Sequence, residues 1–146
     1  MSTKVTLDRI DEAMRGHGIE IARDDTRNLG QANINGFNVA FALLSSVVIV
    51  RADAATEIPS DDADATFYLA ANQVNSASFG ARAVIVDKLD NLIVRTEREL
   101  PLAAGLDDEQ LSAALKSAVD AVLATQDAMV AITQNINEAF REEQAD

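Results

Sequence analysis

Few side chains in this sequence stand where they could do chemistry together. The one histidine, His17, lies between Gly16 and Gly18, and the chain has no cysteine. A single imidazole without a thiol or a second histidine makes neither a transition-metal site nor a histidine-based triad, so His17 reads as a residue at a helix C-terminus. Asp61, Asp62 and Asp64 could attract a hard cation, yet they lack the glycine-turned loop and distal glutamate of an EF-hand. They fit better in the first turn of a helix, where the dipole favours anions. Arg95, Glu97, Arg98 and Glu99 contain an acid/base pair and a positioning arginine, but mixed charge along a strand is also how sheets resist edge-to-edge aggregation.

Ser45 and Ser46 read as turn residues, because no G-x-S-x-G occurs, and no phosphate-cradling or dinucleotide glycine pattern is present either. Asn72 and Asn75 are disfavoured inside helices. They are placed to hydrogen-bond a neighbouring strand or loop, or the backbone of a partner. The expectation is of no catalytic residue, no cofactor and no metal.

With 146 residues, 48% of them hydrophobic, the chain has the size of one domain, 1–146, able to bury a real core without disulfides. Absence of cysteine suits a reducing cytoplasm, and the start, MSTKVTLDRIDEAM, meets Asp8 before any apolar signal core. A cytoplasmic location is expected. The longest apolar stretch, Phe37 to Val50, is broken by Asn38 and Ser45-Ser46 and is too short to span a bilayer. Twenty-four acidic against twelve basic residues give a net charge of -12, which repels phosphate backbones and anionic lipid. Nucleic acid and membrane are therefore excluded as expected partners.

Leu7, Ile10 and Met14 recur at helical spacing after Thr6, a candidate cap, and Gly16 and Gly18 end that helix. Ile19 and Ile21 alternate with Glu20 and Ala22 as a strand would, followed by a polar loop, RDDTRNLGQ. Asn35-Gly36 marks a tight turn. Phe37, Val39, Phe41 and Leu43 then share one strand face, with Asn38, Ala40, Ala42 and Leu44 opposite. Ser45-Ser46 separates this strand from VVIVRADA as a hairpin. Ser60 is a candidate N-cap for a second helix reaching about Ala77, with Phe67, Ala70 and Val74 as its stripe. ARAVIVDK and LIVRTERELPL form a second hairpin about Asp90-Asn91. Asp107 and Gln110 fit a capping box for a last helix of about 30 residues or more. Its seam runs Leu111, Leu115, Ala118, Val122, Thr125, Met129, Ile132, Ile136 and Ala139, with Thr125-Gln126-Asp127 a candidate break. The weak knobs at Ala118, Thr125 and Ala139 favour packing on the sheet or on another copy over a free coiled coil. REEQAD, about 142–146, is expected to fray.

The pattern predicts an α+β domain: helix, three strands, helix, two strands, long helix, with five antiparallel strands. Its central strands are apolar on both faces. At about 25 cal/mol per Å², several hundred Å² left wet would forgo on the order of 10 kcal/mol, a domain's whole net stability. The first and last helices can cover one face. The second helix, a second copy or another protein must cover the other, and a homodimer is the economical choice.

That element order resembles the YbjN-like family, whose members are named as candidate bacterial sensory transduction regulators and share the type III secretion chaperone-like fold. TLDRIDEAMRGHGIEIARDD, NGFNVAFALLSSVVIVRAD and FYLAANQVN carry the likeness, with Asn72 and Asn75 in the family's spacing, as does LDDEQLSAAL at the entry to the last helix. The family often has an aromatic where this chain has Val74. The resemblance implies a non-enzymatic, often dimeric protein-binding domain, chaperone-like or regulatory, acting on a client or regulatory protein. Ala40, Ala42, Leu44, Asn72 and Asn75 are the candidate partner-binding residues. The alternative is a small-ligand sensor or minor enzyme with a pocket between sheet and last helix.

Overall fold

The computed structural model describes residues 4–54, 58–59, 65–77, 80–88 and 90–145. Helix α1, Leu7–Gly16, is followed by strands β1 (Ala22–Asp24), β2 (Leu29–Ile34), β3 (Phe37–Leu43), β4 (Val47–Ala54) and β5 (Ile58–Pro59). Then come α2 (Thr66–Ala77), β6 (Arg82–Asp87), β7 (Asn91–Pro101) and α3 (Asp108–Ala145). All strand pairs are antiparallel, in the order β1, β2, β3, β4, β7, β6, and the two-residue β5 pairs with β7 on β4's side.

The local signals act as expected at most element ends. Thr6 accepts the Arg9 amide N–H through its hydroxyl at the start of α1, and His17 is that helix's C-cap. Asn35 and Gly36 both have positive φ, 53° and 85°, the conformation that a two-residue hairpin turn requires between Ile34 and Phe37. Asp107 and Gln110 form the reciprocal capping box, each side chain taking the other's backbone N–H at 2.8–3.0 Å.

Two expectations need correction in the N-terminal third. The strand expected over Ile19–Ala22 is displaced to Ala22–Asp24, and the segment read as a polar loop contains the hairpin from β1 into β2. Its polarity has a physical source: β1 is the outermost strand, and Arg23 is held there by Asp8 and Asp25 at 2.7 and 2.6 Å. Ile19 and Ile21 still pack on the core. Gly30 admits Ile21, because a Cβ at that position would lie 2.5 Å from the Ile21 side chain. The sheet therefore exceeds the five strands expected. Ser60, Asp61, Asp62 and Asp64, read as the cap and first turn of the second helix, lie outside the described residues.

All three helices lie on one side of the sheet. The larger core joins Ile10 and Met14 of α1, Val39 and Phe41 of β3, Val48, Val50 and Ala52 of β4, and Leu111, Leu115, Ala118, Val119 and Val122 of α3. A second cluster joins Ala70, Ala71 and Val74 of α2 to Ala83, Val94 and Met129. Helix α2 thus packs beside α3 and leaves the opposite sheet face without a helix among the described residues, correcting the expectation that it could shield that face.

Helix α3 passes through Thr125-Gln126-Asp127 without a break. Gln126 is 1% exposed, and its amide donates to the Ala52 carbonyl at 2.7 Å and the Val94 carbonyl at 3.0 Å. These carbonyls lie where the β4–β7 ladder ends, at Asp53 opposite Arg95. A polar residue can be buried here because these backbone carbonyls satisfy its amide. The helix continues to Ala145, and Arg141, Glu142 and Glu143 in the segment expected to fray are solvated.

Asn75 does a similar task at the sheet's far side. Its amide donates to the Ala83 carbonyl at 2.9 Å and accepts the Ala83 N–H at 2.7 Å, tying α2 to β6. Two predictions follow from these side-chain amides, Gln126 buried and Asn75 exposed but bonded to β6, both read by urea unfolding. Gln126→Ala should cost about 3 kcal/mol, from two lost hydrogen bonds, orphaned carbonyls and a cavity. Asn75→Ala should cost about 1–2 kcal/mol through its two hydrogen bonds to Ala83, whereas Asn72→Ala, whose side chain makes no hydrogen bond among the described residues, should change stability by less than about 0.5 kcal/mol.

Candidate protein-binding surface

The register of the strands writes the bare face out as rows. One row reads Asn33, Asn38, Asp53, Arg95, Val84 across β2, β3, β4, β7 and β6. The next reads Gln31, Ala40, Arg51, Glu97, Arg82, and a third reads Leu29, Ala42, Ile49, Glu99. Apolar side chains thus gather at Leu29, Ala40, Ala42 and Ile49 and again at Val84, with the charges between them. Ala40, Ala42, Val47 and Ile49 are half-buried, with no helix above them among the described residues.

The charged rows are largely paired within the sheet. Arg95 grips Asp53 through two hydrogen bonds, at 2.8 and 3.0 Å, and this carboxylate raises the Arg95 guanidinium above its ordinary pKa. Arg82 pairs with Glu97 across β6 and β7, which likewise raises Arg82. Arg51 stands directly opposite Glu97 but does not reach it. Among the described residues Arg51 has no hydrogen-bond or ion-pair partner, and its Nε is buried without one. Glu99 is exposed and also makes no hydrogen bond or ion pair among the described residues, although it lies near enough to Arg82 to favour that residue's charge.

The five residues expected to bind a partner fall in different places. Ala40 and Ala42 share the bare face, and Leu44 is exposed just beyond the end of β3. Asn72 is exposed on α2, on the helical side of the molecule, beside exposed Tyr68 and Leu69. Asn75 is exposed as well, but its amide is spent on β6. Arg51, Asp53, Ile49 and Arg82 were not among the candidate partner-binding residues. The alternation in Val48, Val50 and Ala52 against Ile49, Arg51 and Asp53 was the available signal, hidden by the uniformly apolar start of that strand.

Two further sites bear on chemistry. His17 lies beside α3, with its Nε2 2.9 Å from the Ser112 hydroxyl, and no group of three or more potential metal ligands exists among the described residues. Between the sheet and the helices lies a cavity of about 440 Å³, walled by Phe37, Ile58, Phe67, Val94 and Met129, with Gln126 and Gln134 among its polar groups. No helix among the described residues is long and apolar enough to cross a membrane.

Comparison with known proteins gives this geometry a family. The YbjN family model, described as "Putative bacterial sensory transduction regulator", matches residues 6–130. The crystal structure of YbjN from E. coli is similar over 94% of this chain and 96% of its own, at 16% identity and a TM-score of 0.69. A chain of the ExsC–ExsE complex aligns over 84% of this chain and 90% of its own, at 15% identity and a TM-score of 0.58. One of the HopA1–SchA chaperone–effector complex covers 87% and 91%, at 14% identity and a TM-score of 0.56. No curated protein matches in sequence. At such identities the structures speak for the architecture, which is that of type III secretion chaperones: α+β, three helices against one side of an antiparallel sheet. The sequence match extends from the cap of α1 to the turn of α3 that closes the second core, and the chain belongs to the YbjN family.

Proposed function

We propose that this protein is a binding module of chaperone-like or regulatory kind, a homodimer whose sheet and helix surfaces engage a segment of another protein. The observation that carries this reading is the one-sided covering of the sheet, with Ala40, Ala42, Val47 and Ile49 left half-buried under no helix among the described residues. A contiguous apolar area of this kind on a soluble surface marks an interface. The family description as a regulator supports the reading, and so do structural neighbours seen in chaperone–effector and ExsC–ExsE complexes. Exposed Leu44, Tyr68, Leu69 and Asn72 offer a client apolar contacts and an amide for its backbone, while acidic surroundings disfavour acidic partners.

The test has two parts. Light scattering over a wide concentration range should give twice the chain mass throughout, and a monomer at every concentration would overturn the dimer. A photo-crosslinking residue at Leu44 or Leu69 should then capture the same polypeptide repeatedly in cells. Absence of adducts from both positions would remove the client-binding reading.

The cavity between sheet and helices supports a second reading, as a small-ligand sensor. Its volume of about 440 Å³ is within the range of ligand pockets, roughly 300–1,000 Å³, and apolar walls with a few amides are typical. A ligand bound there raises the melting temperature by mass action. Under this reading a metabolite survey yields at least one compound whose shift disappears in Met129→Trp. A survey without shifts would leave the binding module as the function.

A further inference from the structure

The bare sheet face differs in charge from the rest of the molecule. Across β3, β4, β7 and β6 it presents three arginines, Arg51, Arg82 and Arg95, and three acids, Asp53, Glu97 and Glu99, on a chain whose net charge is -12. Two copies repel one another through most of their surface, but not through this face. Of its six charges, four are bound in pairs inside the sheet. The two left over have opposite signs: the Arg51 guanidinium, with its Nε buried and unpartnered, and the exposed Glu99 carboxylate.

We propose that this face is where two copies of the chain meet, each copy's Arg51 pairing with the partner's Glu99. This inference rests on the homodimer reading and assigns its surface. A two-fold interface makes every contact twice with the same two residues exchanged, so the spare cation of β4 and the spare anion of β7, near the middle of the face, form a self-complementary set, while Asp24 stands at its far edge on β1. An external client would have to supply both opposite charges at the same spacing. The apolar group of Ala40, Ala42, Val47 and Ile49 provides the area that water leaves. Five strands about 4.8 Å apart and roughly 20 Å long give a projected face on the order of 500 Å². Its accessible surface, roughened by side chains, approaches the ~800 Å² per partner of a standard interface.

Charge exchange between copies tests the pairing. Arg51→Glu alone sets Glu against the partner's Glu99, and Glu99→Arg alone sets Arg against the partner's Arg51. Each single variant should weaken the dimer on the order of 100-fold by sedimentation, with unchanged circular dichroism. Mixing the two monomeric variants should restore a dimer containing one copy of each, because both contacts are again Glu with Arg. The double variant should self-associate to within about tenfold of the original protein. If Arg51→Glu fails to fold, Ala42→Arg, which blocks the same face without disturbing the pair, should also give a monomer. Single variants that stay dimeric would overturn the surface and leave the homodimer standing. Variants that fall apart without rescue on mixing would overturn the Arg51–Glu99 pair. A monomeric original protein would remove the homodimer reading itself.

Discussion

A strand has two edges and two faces, and β7 uses three of these four surfaces within the chain. Its edges are bonded to β4 and β6, and one face carries α3. The rest of the fold depends on this arrangement. The two cores meet along β7, α2 reaches the sheet through β6, and the N-terminal hairpins are held to the domain through β4. Burial of the α3 seam drives the packing, while Gln126 and Thr96 fix where it sits. The Thr96 hydroxyl donates to the Val122 carbonyl at 2.8 Å, as Gln126 donates in the other direction, from helix to strand. Helix and sheet are thus cross-bonded at a depth where unpaired groups would be costly.

The fourth surface of β7 belongs to the bare face, which is neither core nor ordinary exterior. Its aliphatics, among them Leu29, Val47, Ile49 and Val84, are interspersed with charges, and the alanines of β3 limit the apolar area exposed. Partly exposed ion pairs such as Arg95 with Asp53 contribute little net stability, so this face is tolerated more than it is stabilising. The cavity near Met129 is a separate feature, opening on the helical side of the sheet.

Most of the architecture was legible where one periodicity dominated. Val39 and Phe41 against Ala40 and Ala42 revealed the two faces of β3, and Asp107 with Gln110 marked the start of α3 through hydrogen bonds that the residue types alone specify. Strand β2 was hidden because its inward positions are Gly30 and Ala32, chosen for close approach, so no strong alternation announces it. Gln126 looked like an interruption in a helix, since its partners, the Ala52 and Val94 carbonyls, are set by strand ends far away in sequence. The candidate surface was legible at Ala40 and Ala42. Arg51 was not, because a lone cation in a strand gains meaning only when register shows that its cross-strand acid is already taken.

The amide of Asn75 has a consequence for polymerisation. An edge strand with free backbone groups is a template onto which further strands can add without limit. By occupying both groups of Ala83, Asn75 works as a chain terminator on that side of the sheet. The other side ends in a strand of three residues, Ala22–Asp24, whose Arg23 is already saturated with carboxylates. A sheet with one bare face can therefore seek a partner across that face while remaining a poor seed for a fibre along its edges.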